Sequence, residues 1–217
     1  MNRSEILEIA KPILFNTEMV RAILDGRKTV TRRIIKPQPI SEMPINHNVC
    51  KIQIMTKKGI KHLWYIDVVE QYPFRRTRYF EKLSPYEVGD ILYVRETWCK
   101  GSLNYGKEQY YYKADGTIPH CTWKPSIHMP KEAARIFLRV TGVRVERLRD
   151  ITVTGLQNEG ILTQGYITQY TFLTTNFFKM YEKLWNSTVK KTDLEKYSWN
   201  ANPWVWVIEF EKIEVEQ

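Results

Sequence analysis

Cysteine is scarce in this chain of 217 residues, and the three present, Cys50, Cys99 and Cys121, are odd in number and form no C-x-x-C pair. That argues against a disulfide framework and agrees with a reducing compartment. Long apolar runs are missing too. No stretch approaches the roughly 18 uncharged residues of a membrane helix. Met1 to Ile13 is broken by Arg3, Glu5, Glu8 and Lys11 where a signal peptide would carry its apolar centre. The expectation is a cytoplasmic protein with no membrane partner. There is no G-x-S-x-G, no Walker sequence and no Rossmann glycine fingerprint, so serine-hydrolase, NTPase and dinucleotide readings lack support. Internal repeats and low-complexity tracts are likewise absent. His47-x-x-Cys50 and His120-Cys121 hold zinc-type ligands, but adjacent residues rarely chelate one ion together, so neither a metal nor a cofactor is expected.

Acidic residues are in short supply: 24 Asp plus Glu face 33 Lys plus Arg, a formal charge of +9. Such a balance suits a polyanionic partner, although a solvated basic surface accounts for it equally. The charge is unevenly spread. Arg21, Arg27, Lys28, Arg32, Arg33 and Lys36 stand against Asp25 alone, whereas the end of the chain holds Glu209, Glu211, Glu214 and Glu216 against Lys212. With 43% hydrophobic and 26% charged residues the chain is globular, and its size favours one domain with elaborations.

Met19, Val20, Ile23 and Leu24 recur at helical spacing, with Thr17 or Asn16 available as N-cap and Gly26 as a left-handed stop. Thr29 to Ile35 alternates and is β-branched, and Pro37 and Pro39 end it as a strand. Residues 40–84 lack sustained periodicity and offer short strands at Lys51–Met55 and His62–Val69, as an insertion or variable hairpin would. Ile91–Val94 and Tyr110–Ala114 are further strands. Ala134–Leu148 reads as one long strand bulged at Gly142. Leu173, Phe177, Phe178, Tyr181, Leu184 and Trp185 mark an amphipathic helix, and Trp204–Phe210 is apolar on both faces, as a central strand is. Short strands with few βαβ alternations predict an α+β fold built on a small mixed barrel.

Gly26-Arg-Lys-Thr-Val-Thr-Arg-Arg33 crowds cations and hydroxyls where a helix end meets a strand. Repulsion from Arg27, Arg32 and Arg33, with any burial, would depress the pKa of Lys28 and give an amine able to take a hydroxyl proton from Thr31. Residues 28 and 31 of a regular strand point to opposite faces, so a shared site requires Lys28 to lie on the turn. An exposed basic strand explains the same residues. Thr152 to Gly160 reads as a short helix with Glu159 in its last turn. The dipole disfavours a carboxylate there, and a partner such as Lys28 would account for it, as would plain solvation. Aromatic residues beside basic ones, Trp98 near Lys100 and Trp123 before Lys124 among them, suit base stacking with phosphate contact. Core packing is the competing explanation, and is preferred for Trp204 and Trp206.

Five segments in order carry a resemblance: Pro12-Ile-Leu-Phe with Met19-Val-Arg-Ala-Ile-Leu-x-Gly-Arg-Lys-Thr-x-Thr-Arg-Arg, Pro85-Tyr with Gly89-Asp-x-Leu-Tyr-Val-Arg-Glu-Thr-Trp98, Trp123-Lys-Pro-Ser-Ile-His-Met-Pro130, Glu159-Gly-Ile, and Asn202-Pro-Trp-Val-Trp-Val-Ile-Glu-Phe210. The chain resembles the ASCH-domain proteins, in particular a longer kind often carried by phages and prophages; residues 40–84 are least covered. The resemblance implies a single PUA-like domain over residues 1–217, a mixed or antiparallel β-barrel with flanking helices. Its cleft would bind RNA or a modified nucleoside. Small members remove the acetyl group of N4-acetylcytidine, and others are ribonucleases. The amidohydrolase set maps onto Lys28, Thr31 and Glu159. Lys28 would take the proton of Thr31, whose oxygen attacks the amide carbonyl, while Glu159 orients the lysine or protonates the departing nitrogen. Arg27, Arg32, Arg33 and Trp98 are the expected substrate or RNA contacts, with Ser126 and His128 as polar contacts from the 123–130 segment. Gly155 is expected to interrupt the helix that presents Glu159. A non-catalytic RNA-binding module and a metal-independent ribonuclease using the same cleft are the alternatives.

Overall fold

The computed structural model describes residues 2–38, 47–56, 59–70, 75–102, 107–117, 120–161 and 171–215. Pro39 and the first residues of the 40–84 insertion lie outside them. Strands β1 (Lys11–Leu14), β2 (Val30–Ile34), β3 (His47–Thr56), β4 (Gly59–Glu70), β5 (Arg75–Leu83), β6 (Ile91–Arg95), β7 (Trp98–Gly101), β8 (Gln109–Tyr112), β9 (Phe137–Arg147) and β10 (Trp204–Ile213) are joined by helices α1 (Arg3–Ile9), α2 (Thr17–Leu24), α3 (Val153–Asn158), α4 (Thr171–Thr188) and α5 (Leu194–Tyr197).

The organising sheet has five strands in the order β1-β6-β9-β10-β2, parallel only between β1 and β6. The α+β class therefore holds. The sheet is not closed into a barrel: β1 and β2 remain its two edges. Between them runs a side-chain bridge in place of a ladder, the Arg33 guanidinium donating to the Leu14 carbonyl at 2.6 Å.

Alternation along β10 assigns its two faces. Trp204, Trp206, Ile208 and Phe210 face the main core with Ile13, Phe15, Leu92, Leu138 and Val140, and Val20 and Ile23 of α2 pack into it. Val205 and Val207 turn the other way, onto Leu156 of α3 and Tyr181 and Trp185 of α4. A strand clad on both sides must be apolar on both, which is why Trp204 to Ile208 reads as it does. A third cluster backs β6 with α1 and Trp98. The bulge expected at Gly142 is present: the register with β10 shifts so that Gly142 opposes Glu209 while Val140 opposes Phe210. The extra residue restores parity, and Val143 and Val145 pack on the same core as Leu138 and Val140.

Helix α2 is capped by Asn16, whose side chain accepts from the Met19 amide at 2.9 Å, and Gly26 has φ +73°. The described part of the 40–84 segment holds longer strands than its periodicity suggested. Strands β3, β4 and β5 form an antiparallel three-stranded sheet, docked through an edge-on contact of Trp64 with Trp206 at 6.1 Å. The cysteine count argues against a disulfide framework, yet Cys99 and Cys121 are disulfide-linked. Their 22-residue separation carries no motif, so only the pairing of β7 with β8 and the return of 120–124 beside Trp98 bring them together.

Replacing Trp64 with alanine should remove that anchor at a cost of about 3–5 kcal/mol, the usual range for a buried tryptophan. Hydrogen exchange should rise more in β3–β5 than in β9 and β10. Equal protection throughout would show that the insertion is held by other contacts.

Candidate functional site

The junction between α2 and β2 is stitched at both ends. The amides of Arg27 and Lys28 both donate to the Ala22 carbonyl at 2.9 Å, and the Thr29 amide donates to the Asn158 carbonyl at 2.8 Å. Lys28 thus precedes the ladder and sits on the turn, where it forms a single bridge with Glu159. The condition set by strand geometry is met for the lysine. Helix α3 is capped by Thr152, whose hydroxyl accepts from the Gly155 amide at 3.0 Å, and Glu159 occupies its C-cap. Gly160 follows with φ +80°. Gly155 does not interrupt the helix. A Cβ there would stand 3.2 Å from an Arg32 nitrogen and 2.9 Å from Ile151, so glycine makes room for the guanidinium.

Lys28, Arg32 and Glu159 are all buried and form one ion cluster. The Lys28 Nζ donates to Glu159 Oε2 at 2.5 Å, to the Val30 carbonyl at 2.8 Å and to the Glu159 carbonyl at 3.2 Å. All of its ammonium hydrogens are therefore used. The other carboxylate oxygen accepts from Arg32 at 3.1 Å and from the Tyr181 hydroxyl at 3.3 Å. Arg32 also donates to Glu146 of β9 at 2.8 Å. Burial pushes the Lys28 ammonium below its ordinary value; Glu159 pulls it back, and Arg33 and Arg32 add to the depression. Burial raises the Glu159 carboxyl, but Lys28 and Arg32 outweigh this and hold it below the usual range. The two groups stand in salt-bridge contact with both side chains buried.

Thr31 is buried on the other face of β2 from Arg32, opposite Ile208. Among the described residues its hydroxyl makes no hydrogen bond to Lys28 or Glu159. What links the two sides is Phe15. Its ring centroid lies 5.7 Å from Lys28 Nζ and 5.1 Å from the Arg33 guanidinium carbon. Of the expected catalytic set the fold joins Lys28 and Glu159 directly, and Thr31 has no hydrogen bond to either among the described residues.

Arg33 marks the mouth of a cleft of about 610 Å³ between the two sheet edges. One wall is Pro12, Ile13 and Leu14, the other Arg33, Ile34 and Lys36, with Lys82 and Leu83 of β5, Tyr86 and Trp206 completing it. The pairing of β2 with β10 joins odd-numbered residues by hydrogen bonds, Ile35 to Trp204 and Phe210 to Thr29. The N–H and C=O groups of Arg32 and Ile34 therefore turn toward the open edge. No family model, curated protein or solved structure matches this chain.

The remaining expected contacts lie elsewhere. Arg27 is tied to Asp25 and to the Gly160 carbonyl at 2.8 Å. Trp98 is buried in the third cluster against Tyr110, with Lys124 over its ring. Ser126 and His128 form a short 3-10 turn, with Arg95 donating to the neighbouring Ile127 and Met129 carbonyls. None of these four lines the cleft. Sequence reasoning missed Glu146 and Tyr181 in the ion cluster, and Lys36, Lys82 and Tyr86 in the cleft. Lys36 had a signal as the last cation of the basic run, and Tyr86 as part of the Pro85-Tyr segment.

Glu159→Gln should destabilise the protein by about 3–5 kcal/mol, because Lys28 and Arg32 are left as uncompensated buried charges. Lys28→Met should cost less, since Oε1 of Glu159 keeps Arg32 and Tyr181 and only Oε2 loses its donor. Chemical denaturation of the two variants checks the order, and the reverse order would refute the central role of the carboxylate. Glu159 is held low in the fold, so its contribution is complete above the ordinary carboxylate value of about 4.3. It is lost as pH falls through the lower folded value. Stability of the wild type against acid should show this limb, and Glu159→Gln should lack it.

Proposed function

We propose that this chain is a PUA-like, ASCH-type protein that binds RNA or a modified nucleoside in the cleft between β1 and β2. The observation that carries the reading is the composition of that cleft. Arg33, Lys36 and Lys82 line it with Tyr86 and Trp206, and no carboxylate is among its described lining residues. Aromatic surface suits a base, the edge-facing backbone groups of Arg32 and Ile34 suit its polar edge, and the cations suit a phosphate chain. Its volume falls within the range of small-molecule sites. If RNA is the ligand, affinity should fall with salt, with a logarithmic slope of about −0.7 per phosphate neutralised. Arg33→Ala should weaken binding. Salt-independent binding, or none, would overturn the reading.

A second reading, hydrolysis of an N4-acylated cytosine nucleoside, is favoured by the contact of Lys28 with Glu159 at 2.5 Å. In that reading the Thr31 oxygen bonds to the amide carbonyl carbon and its proton passes to Lys28 as neutral amine. The C–N bond then breaks as the cytosine nitrogen takes a proton back, and water releases the acyl group from Thr31. Glu159, held as carboxylate, is fitted to orient the lysine and not to donate the proton. Thr31→Val keeps the shape of the buried side chain and deletes the hydroxyl. It should abolish cytidine release from N4-acetylcytidine, a loss of at least about 100-fold, while leaving ligand affinity within a few-fold. Undiminished turnover in this variant would sink the hydrolytic reading and leave binding intact.

A further inference from the structure

We propose that the β1–β2 cleft takes a phosphorylated nucleotide unit, and that Lys82 of the inserted sheet, with Arg33 and Lys36, grips the phosphate. This rests on the nucleoside-binding reading and specifies the ligand further. The three cations come from separate parts of the chain, Arg33 from β2, Lys36 from the segment after it and Lys82 from β5. Their own partners neutralise them poorly. Arg33 donates to a neutral carbonyl, Leu14 O, and stacks on Phe15. Lys36 meets Asp193 at 3.3 Å with both side chains substantially exposed, a pairing that contributes little. Lys82 makes no ion pair among the described residues. Cations gathered round one groove repel each other unless an anion joins them, and a phosphate offers oxygens to several donors at once.

The remaining wall is apolar and aromatic: Pro12, Ile13, Leu83, Pro85, Tyr86 and Trp206. A ligand matching both parts has a flat hydrophobic body and an anionic end, which describes a nucleotide better than a free nucleoside. The insertion is what adds the phosphate side. Trp64 fixes its sheet against Trp206, and β5 thereby carries Lys82 to the cleft rim. The His62 amide and ring, both bonded to Glu87, hold β4 to the turn that follows β5. Lys82 thus arrives on a supported strand and not on a loose loop.

The test is calorimetric titration of the intact protein with cytidine, cytidine 5′-monophosphate and inorganic phosphate, at low and raised salt. The monophosphate should bind at least about tenfold tighter than the nucleoside, as one or two charge-assisted hydrogen bonds would give. Raised salt should shrink that advantage. Lys82→Ala should remove most of that advantage of the monophosphate over the nucleoside, and Lys82→Arg should restore it. Lys82 is half-buried on the surface of β5, so both variants should melt with the wild type. Equal affinity for nucleoside and nucleotide, or an advantage that survives Lys82→Ala, overturns the phosphate assignment alone. Phosphate binding as tightly as the nucleotide reduces the site to an anion pocket and overturns the assignment too. Failure of all three ligands to bind overturns the nucleoside reading as well.

Discussion

The Glu159 carboxylate is the point on which the rest of this structure depends. It ends α3, and its two oxygens collect the turn lysine Lys28, the β2 arginine Arg32 and Tyr181 of α4. Through Arg32 and Glu146 the same cluster reaches β9. An acid at a helix C-terminus opposes the dipole, and a buried one loses its hydration. Both costs are met by two cations and a hydroxyl placed within hydrogen-bond reach. The cluster thereby ties α3 and α4 to β2. Gly155 and Gly160 are adaptations to it: one leaves space for Arg32, and a Cβ on the other would come within 2.7 Å of Ala22 and 3.1 Å of the Lys28 Cβ.

The same β2 strand divides the two environments of the site. Its even-numbered side chains, Val30 and Arg32, belong to the helical layer and the ion cluster, whereas Thr31 is buried on the other face and Arg33 lines the cleft. Because β2 is an edge strand, the outward N–H and C=O groups of Arg32 and Ile34 meet no further strand among the described residues. Closing the sheet with a ladder would seal the cleft. Spanning the gap with Arg33 preserves it and places a positive charge at its rim.

What the sequence made legible follows the range of the physics involved. Local signals carried far: the Asn16 cap, the Gly26 and Gly160 stops, the Thr152 cap and the Gly142 bulge are all decided within a few residues of themselves. The two-sided apolar pattern of Trp204–Ile208 identified a central strand because such a pattern has few other uses. The pairing of Lys28 with Glu159 was also within reach, since a carboxylate in a last helical turn needs a partner. Long-range facts were not. Glu146 and Lys82 look like ordinary surface charges in the sequence, and only the pairing of β9 with β10 and the docking of Trp64 bring them to the site. Trp98 lies in the third cluster and not along the cleft, and the sequence could not place it, because an aromatic residue beside a lysine reads alike whether it stacks on a base or fills a core. The disulfide between Cys99 and Cys121 likewise depends on a hairpin whose partner strand is not marked by spacing.

The buried pair itself constrains what chemistry the site can perform. A buried ion pair commonly adds little net stability compared with an apolar pair of the same volume, so stability alone is a weak reason for Lys28 and Glu159 to be here. Position is a stronger one. With its three donors filled, Lys28 cannot accept a proton until it has given one up. The nearest base along a ready hydrogen bond is Glu159 at 2.5 Å. Moving that proton converts two charges into none, which burial favours, and opposes the hold of Arg32 on the carboxylate. The balance between these two effects decides whether the lysine can serve as a base. A ligand anion in the cleft would weaken the positive field from Arg33 that now helps to depress Lys28. Occupancy of the cleft and the proton affinity of the lysine are therefore coupled through one guanidinium, across the face of Phe15.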